Sequence, residues 1–230
     1  MKRIPRDQVF IVIAAYNEHK HIADVVGKVQ KAGYKNIVIV NDCSRDDTAQ
    51  IIEKLPVADL HHIVNRGQGA ALKTGIDFAL EEGAKYIVTF DADGQHRAQD
   101  IDRMVGPVAH GPYDISLGSR FLGKRTDMPL TRFMTLKIGV LIQWIFYGLL
   151  LTDAHNGFRC LSRKAAQTIT IQSDRMEHAS EIIEEIKRHR LTYKEVPIVI
   201  LYNEETLAKG HGGFAQAIKV LFKMILKKIG

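Results

Sequence analysis

The stretch Tyr-Ile-Val-Thr-Phe-Asp-Ala-Asp-Gly-Gln-His, residues 86–96, decides the fold hypothesis. It is a short run of β-branched and aromatic residues that stops abruptly at two acids and a glycine, and this predicts a buried strand with polar groups at its carboxyl end. Similar runs recur along the chain. We expect strands at Val9–Ala14, Asn36–Val40, Leu60–Val64, Tyr86–Phe90 and Ile115–Leu117.

The segments between these strands have a helical period. Apolar residues recur at i, i+3, i+4 and i+7 between the first two strands, and a similar stripe precedes the fourth, which indicates helices that face a core. The two stripes are Ile22, Val25, Val26 and Val29, and Leu72, Ile76, Ala79 and Leu80. The alternation predicts an α/β fold with a mostly parallel central sheet and helices on both faces.

Composition limits the class of protein. The 230 residues, 46% hydrophobic and 25% charged, are typical of one globular domain. Two cysteines without zinc spacing, and no secretion signal, favour the cytoplasm. A net charge of +6 suits phosphate-bearing partners, but aromatic residues are only 7% and do not interleave with Lys and Arg, so we expect no nucleic-acid binding.

Polar motifs follow four of the predicted strands. They are AYNE after the first, NDCS after the second, NRGQG after the third and DADGQH after the fourth. Open parallel sheets bind ligands beyond the carboxyl ends of their strands, so these motifs are expected to form one site.

The pair Asp91 and Asp93 is the main candidate for chemistry. Two carboxylates separated by a small residue at a strand end suit Mg²⁺ or Mn²⁺, which prefer oxygen ligands and keep phosphate oxygens as further ligands. Gln95 can add an amide oxygen and His96 an imidazole. Two alternatives are an ordinary helix cap with a turn acid, and a phosphohydrolase with Asp91 as nucleophile; such enzymes usually carry the motif on the first strand.

The glycines of Asn65-Arg66-Gly67-Gln68-Gly69 suggest close approach of the backbone to a nucleotide or sugar. A dinucleotide-binding motif is excluded because its third glycine would fall at Leu72. Asp42 and Glu18 are placed to accept hydrogen bonds from a ribose or a base. For Asn17, Ser44 and Asp47 we expect helix capping instead.

Two segments indicate a membrane surface. The helical region from about Leu130 to Leu151 contains the stretch IGVLIQWIFYGLLL, which is apolar nearly all round. At about 14 residues it is short of the roughly 20 that cross a bilayer, and it is either a core helix or an interfacial one. The pattern of lysines and apolar residues in 214–230 predicts a basic amphipathic helix, which follows a domain of residues 1–213. An ordinary packed helix with a lysine face is the alternative.

Seven motifs in order resemble the family-two glycosyltransferases of GT-A fold, in the dolichyl- or polyprenyl-phosphate sugar synthase branch. They are the four above with NDCS extended to RDDT and NRGQG to NRGQGAALKTG, then GSRF at 118–121, TDAHNGFRCLSRKA at 152–165 and EVPI at 195–198. The likeness runs from about Val9 to Ile198. The late Arg-x-x-Gly-x-Ser-Lys segment of the family is matched well only by Lys209, and Asn41 stands where the family has Asp.

The resemblance implies roles for individual residues. Asp91, Asp93 and Gln95 would serve the metal, and Arg120 and Arg132 would face phosphate on the donor or on a lipid acceptor. The catalytic set is Asp91, Asp93, Asp153 and Arg120. The nucleotide-sugar set is Ala15, Tyr16, Glu18, Asp42, Gly69, Lys73, Asp91, Ala92 and Asp93.

The implied function is metal-dependent, inverting transfer of a hexose from a nucleotide-diphospho-sugar to a polyprenyl phosphate at the cytosolic membrane face. An alternative acceptor is a sugar hydroxyl of a glycan, for which Asp153 is the candidate base. A third alternative is a non-catalytic module that binds nucleotide sugars or membranes.

Overall fold

A computed structural model describes residues 3–122, 134, 137–141, 144, 148–153 and 156–201. Within these residues seven strands form one sheet in the order β3-β2-β1-β4-β6-β5-β7. The strands are Val9–Ala15 (β1), Asn36–Asn41 (β2), Ala58–His61 (β3), Tyr86–Asp91 (β4), Ile115–Ser119 (β5), Arg159–Ser162 (β6) and Tyr193–Pro197 (β7).

The first four strands in this order are parallel, so their carboxyl ends lie along one edge. β6 runs antiparallel to β4 and β5, and β7 pairs in parallel with β5. The expectation of a mostly parallel sheet is therefore confirmed.

Helices cover both faces of the sheet. They are Ile22–Lys31 (α1), Thr48–Ile52 (α2), Gln68–Glu81 (α3), Ile101–His110 (α4), Arg163–Thr168 (α5) and His178–Arg188 (α6). The apolar residues of α1, α2 and α4 enter one core, and those of α3, α5 and α6 enter the other. Along β1, Val9, Ile11 and Ile13 face the first core while Phe10 and Val12 face the second, as strand alternation requires.

Three details differ from the sequence prediction. β3 ends at His61, and Ile63 and Val64, which were expected in the strand, lie beyond it with Ile63 95% exposed. β3 is an edge strand, and its pairing with β2 stops at Asn41, which lies opposite His61. The prediction from apolar composition therefore placed the end of the strand too late in the sequence. β6 and β7 were not predicted, because Arg159, Lys194 and Glu195 interrupt their apolar pattern.

Part of the membrane hypothesis lies outside the described residues. This applies to residues 214–230, to Arg132 and Lys209, and to most of the helix expected at 130–151. Residues 134, 137–141 and 144 of that helix are helical.

Gly75 allows α3 to pack closely on the sheet. A Cβ atom built there would lie 2.4 Å from Cγ1 of Val12 and 3.2 Å from Cγ2 of Val40. We expect Gly75→Ala to lower the free energy of unfolding by about 1–3 kcal/mol, because the added methyl overpacks the interface. Chemical denaturation measures this.

The matched control is Gly27→Ala in α1, where no atom lies within 4 Å of the new Cβ. Since alanine has the higher helix propensity, this variant should be neutral or gain up to about 1 kcal/mol. Equal stability of the two variants would contradict the close packing of α3.

Candidate functional site

The parallel strands bring the predicted motifs to one edge of the sheet. Ala15 at the end of β1 pairs with Asn41 at the end of β2, and Ala14 pairs with Asp91 at the end of β4. The AYNE, NDCS and DADGQH segments therefore begin side by side. Ala92 is buried, while Tyr16 is exposed on the loop that follows β1.

Asp91 is held on both carboxylate oxygens. Its Oδ2 lies 2.8 Å from Nε2 of His96, and its Oδ1 accepts from Nε2 of Gln68, the first residue of α3, at 3.3 Å. Gly157 lies against the same carboxylate, since a Cβ atom on it would come within 2.7 Å of Oδ1. Neither Gln68 nor Gly157 was singled out from the sequence.

Asp93 is positioned by Gln95, two residues further on. Oδ1 accepts from the backbone N–H of Gln95 at 3.0 Å, and Oδ2 accepts from its side-chain Nε2 at 2.5 Å. The backbone of this turn is also fixed from outside, because Leu201 N–H donates to the carbonyl of Gln95 at 2.9 Å. The turn therefore presents Asp93 and the Gln95 amide together.

The two carboxylates have opposite pKa shifts. Burial favours the protonated form of Asp91, but the nearby His96 and the guanidinium of Arg159 outweigh it and lower its pKa. Burial, and then the negative charge of Asp91, raise the pKa of Asp93. The pair thus carries a repulsion that a divalent cation between the carboxylates would relieve.

These residues fit Mg²⁺ or Mn²⁺ shared with a ligand. In the described part of the chain no group of three or more His, Cys, Asp or Glu side chains is arranged to hold a cation. Mg²⁺ usually takes one or two protein carboxylates and completes its shell with water and substrate phosphates. Asp91, Asp93 and the amide oxygen of Gln95 are suitable donors of this kind.

His96 is a buried partner of the Asp91 carboxylate. Its ring is buried against Phe90 and Phe158, whose ring centroids are 5.4 and 5.0 Å away. Because Nε2 already contacts Asp91, the geometry favours a role in orienting that carboxylate over the role of metal ligand considered from the sequence.

Arg159 is a buried positive charge close enough to interact with Asp91 and Asp153. The residue is 1% exposed, and its two terminal nitrogens have no hydrogen-bond partner within the described ranges. Burial lowers its pKa to about 10, against the opposing charges of Asp91 and Asp153, so it remains protonated at neutral pH. The sequence offered one signal, an arginine inside the apolar run Phe158-Arg159-Cys160-Leu161.

Asp42 is buried and organises the loop that follows β3. Its carboxylate accepts from the backbone N–H groups of Arg66 at 3.0 Å and Gly67 at 2.7 Å, and lies 2.7 Å from Nδ1 of His62. These contacts engage both oxygens. The structure thus gives Asp42 a loop-holding function, in a position where the sequence suggested contact with a nucleoside.

The loops after β1 and β2 are tied to each other. Asn17, with a positive φ of 56°, donates from its backbone to Oγ of Ser44 and accepts from the backbone of Arg45. Asp47 stands at the N-cap position of α2, as predicted, but its side chain makes no capping hydrogen bond. For Asn17 and Ser44 the capping prediction is wrong, because their side chains accept from the backbone of each other's loop. Asp46 accepts from the N–H of Thr48 instead, and Oγ1 of Thr48 accepts from the N–H of Glu18.

The glycines of NRGQG face another loop of the protein. A Cβ atom on Gly69 would lie 2.0 Å from the carbonyl oxygen of Ser173, and one on Gly67 would lie 2.5 Å from that of Asp174. Ala70 N–H donates to the carbonyl of Asp174 at 3.1 Å. The space that side chains at these two positions would need is therefore filled by this other loop, and the approach of a nucleotide or sugar to the glycines stays a prediction.

Lys73 lies away from the carboxylate pair. Its ammonium pairs with Asp77 one turn along the exposed side of α3. It lines a surface cavity of about 320 Å³ between α3 and the segment at Gln167–Ile171. The structure does not bring Lys73 to the edge where Asp91 and Asp93 lie.

Arg120 and Asp153 form a buried ion pair. Oδ2 of Asp153 accepts from Nε of Arg120 at 2.6 Å and from its backbone N–H at 3.1 Å. The Asp153 side chain is 1% exposed, and its Oδ1 has no partner in the part of the chain that is described. Arg132, the other predicted phosphate ligand, lies outside the described residues.

Comparison with known proteins gives consistent matches. The family model described as Glycosyl transferase family 2 matches residues 10–170. An uncharacterized protein of Methanocaldococcus jannaschii is 41% identical, with 100% of this chain and 96% of the relative covered. The UDP-N-acetylglucosamine–dolichyl-phosphate N-acetylglucosaminyltransferase of Methanococcus voltae is 32% identical, with 96% of each chain covered.

A solved structure shares the fold. Glucosyl-3-phosphoglycerate synthase from Mycobacterium tuberculosis, in complex with Mn²⁺, uridine diphosphate and phosphoglyceric acid, superimposes with a TM-score of 0.69. The match covers 94% of this chain and 78% of that chain at 14% identity, so it supports the architecture alone.

The sparse protein ligand set predicts that cation and nucleotide bind together. We expect Mn²⁺ to bind at least about tenfold more tightly when UDP or GDP saturates the protein, because the diphosphate completes the coordination shell. Asp93→Asn should abolish this gain. Calorimetric titration of Mn²⁺ with and without each nucleotide measures it.

Asp24→Asn serves as the control, since Asp24 lies on the exposed side of α1 and pairs with Lys28. It should keep the full coupling. Equal Mn²⁺ affinity with and without nucleotide, or unchanged coupling in Asp93→Asn, would contradict the proposed ligand set.

Proposed function

Because this chain belongs to glycosyl transferase family 2, we propose that it transfers a hexose from a nucleotide-diphospho-sugar to a polyprenyl phosphate of the dolichyl type. The observation that carries the proposal is the pair of Asp91 and Asp93, repelling each other at the end of β4 where the loops of three parallel strands meet. Such an edge is where α/β sheets bind nucleotides.

The donor end of the site would use the carboxylate pair. Asp91, Asp93 and Gln95 would hold Mg²⁺ or Mn²⁺, which supplies positive charge to the departing nucleoside diphosphate. His96 and Gln68 keep Asp91 oriented for this task, and His96, followed by Arg159, lowers the pKa of Asp91. The loops after β1 and β2 begin beside this pair, and the first of them carries Tyr16 and Glu18, which would contact the nucleoside.

The acceptor is argued from its chemistry. The Methanococcus voltae relative is named for transfer to dolichyl phosphate. A phosphate monoester is anionic at neutral pH, so its oxygen attacks the anomeric carbon without a general base, on the side opposite the leaving diphosphate. The new C–O bond forms as the bond to the diphosphate breaks, which inverts the configuration. Arg120 is the described cation suited to orient the acceptor phosphate.

Transfer to a sugar hydroxyl receives less support. That reaction needs a base that can reach the hydroxyl proton. Asp153, the candidate from the sequence, is 1% exposed and already bound to Arg120 through Oδ2. Its geometry favours pairing with Arg120 over proton abstraction.

Membrane association at the cytosolic face is part of the proposal. No helix in the described part of the chain has the length and apolarity to cross a bilayer. The helical residues between 134 and 144 instead carry apolar side chains that are about half exposed and recur at intervals of four, three and three, on one side of the helix. They are Met134, Ile138, Leu141 and Trp144. We call this set the apolar face.

Transfer is tested with purified protein, a panel of radiolabelled nucleotide sugars and polyprenyl phosphate in detergent. We expect Mn²⁺- or Mg²⁺-dependent formation of a lipid-linked sugar, reduced at least about 100-fold in Asp91→Asn, because charge stabilisation of the leaving group is lost. Asp24→Asn is the control and should retain activity.

Two results would contradict this function. Transfer to free glycans in preference to lipid phosphate would favour the hydroxyl-acceptor alternative. Nucleotide-sugar binding without turnover on any acceptor would identify a binding module.

Replacing two residues of the apolar face should weaken membrane binding. In Ile138→Ser combined with Leu141→Ser, partition into anionic liposomes is expected to fall at least about tenfold, because each buried aliphatic side chain contributes roughly 1.5–3 kcal/mol. Sedimentation with liposomes measures it. Ile63→Ser, at an exposed position beyond β3 and outside the apolar face, is the control. Equal partition of both proteins would exclude the apolar face from the membrane contact.

A further inference from the structure

Glu195, on strand β7, accepts hydrogen bonds from the loop at Thr152 and Asp153, which precedes β6 in the sequence. Its Oε1 accepts from the backbone N–H of Thr152 at 2.8 Å, from the hydroxyl of Thr152 at 2.7 Å and from the N–H of Asp153 at 3.2 Å. Oε2 accepts from the N–H of Thr152 at 3.0 Å. One carboxylate thus holds two consecutive residues of a loop that has no regular structure.

The bonds extend to the end of β5. Oγ of Ser119 lies 2.6 Å from Oγ1 of Thr152, and the N–H of Phe121 donates to Oγ of Ser119 at 3.2 Å. Since an ionised carboxylate only accepts, the Thr152 hydroxyl donates to Glu195 and therefore accepts from Ser119. The direction of each bond in the chain from Phe121 to Glu195 is thereby fixed.

This series of hydrogen bonds holds the sequence neighbours of both members of the ion pair. Arg120 lies between Ser119 and Phe121, and Asp153 follows Thr152. Asp153 accepts from Arg120 through both a backbone and a side-chain nitrogen, so the orientation of the guanidinium depends on where the loop places Asp153. Glu195 reaches this pair through the backbone, because it accepts from the N–H groups of Thr152 and Asp153.

We propose that Glu195 is a positioning residue that fixes the Asp153–Arg120 pair and so sets the affinity for the acceptor phosphate. This inference rests on the proposed function, which assigns the acceptor phosphate to Arg120. A carboxylate suits the position because its lone pairs accept all four bonds at once. Gln at this position keeps one accepting oxygen, and Ala keeps none.

The test is a double-mutant cycle on binding of farnesyl phosphate, measured by calorimetry with protein saturated with nucleoside diphosphate and Mn²⁺. Glu195→Ala should weaken farnesyl phosphate binding at least about tenfold, since hydrogen bonds to a charged acceptor are lost. Nucleotide affinity should stay within about twofold. Glu195→Gln should recover most of the loss, which a general effect of destabilisation would not produce.

The second substitution of the double-mutant cycle is Arg120→Ala. If Glu195 acts through Arg120, adding Glu195→Ala to Arg120→Ala should change the affinity by no more than about twofold. Multiplication of the two effects would overturn the proposal, as would equal loss of acceptor and nucleotide binding. Lys194→Ala is the matched control, because Lys194 is the exposed neighbour on the same strand.

A second variant covers the case in which Glu195→Ala does not fold. Thr152→Val removes only the hydroxyl that joins Ser119 to Glu195, and it should also weaken farnesyl phosphate binding while sparing the nucleotide. Unchanged acceptor binding in this variant would overturn the role. Failure of the proposed function is a separate result, in which the wild-type protein binds no farnesyl phosphate and forms no lipid-linked sugar.

Discussion

The repulsion between Asp91 and Asp93 is the constraint around which the neighbouring residues are arranged. Burial at the end of β4 makes two adjacent negative charges costly, and the raised pKa of Asp93 reflects this. His96 and the buried Arg159 offset the charge of Asp91, while Gln95 donates twice to Asp93. Binding of a divalent cation relieves this repulsion, and the bound cation in turn attracts the diphosphate of the donor.

Carboxylate side chains hold the loops that surround this pair. Each of three acids accepts two backbone N–H groups from a loop between 8 and 43 residues away in the sequence: Asp42 from Arg66 and Gly67, Glu181 from Gln172 and Ser173, and Glu195 from Thr152 and Asp153. Such bonds replace the ladder partners that irregular segments lack. The edge of the sheet is therefore lined by loops whose conformations are specified by side chains of other elements.

The sequence was sufficient to predict the fold class and to predict that the AYNE and NDCS segments lie beside DADGQH. Both predictions rest on local signals, namely apolar periodicity and polar motifs at strand ends. The sequence did not predict β6 and β7, whose pairing depends on partners distant in sequence. The contacts of Asp42, Glu195 and Arg159 were likewise missed. Whether a carboxylate accepts from a ligand or from a distant backbone amide is decided by tertiary structure, and spacing along the chain does not reveal it.

The contact between the glycine loop and the 173–175 segment bears on how the protein can be altered. The backbone carbonyls of Ser173 and Asp174 occupy the space that side chains at positions 69 and 67 would need, and Ala70 is hydrogen-bonded to Asp174. Neither segment can be exchanged for that of a related enzyme while the other is kept, unless their backbones match closely. A chimera intended to change donor preference would have to carry both segments as one cassette.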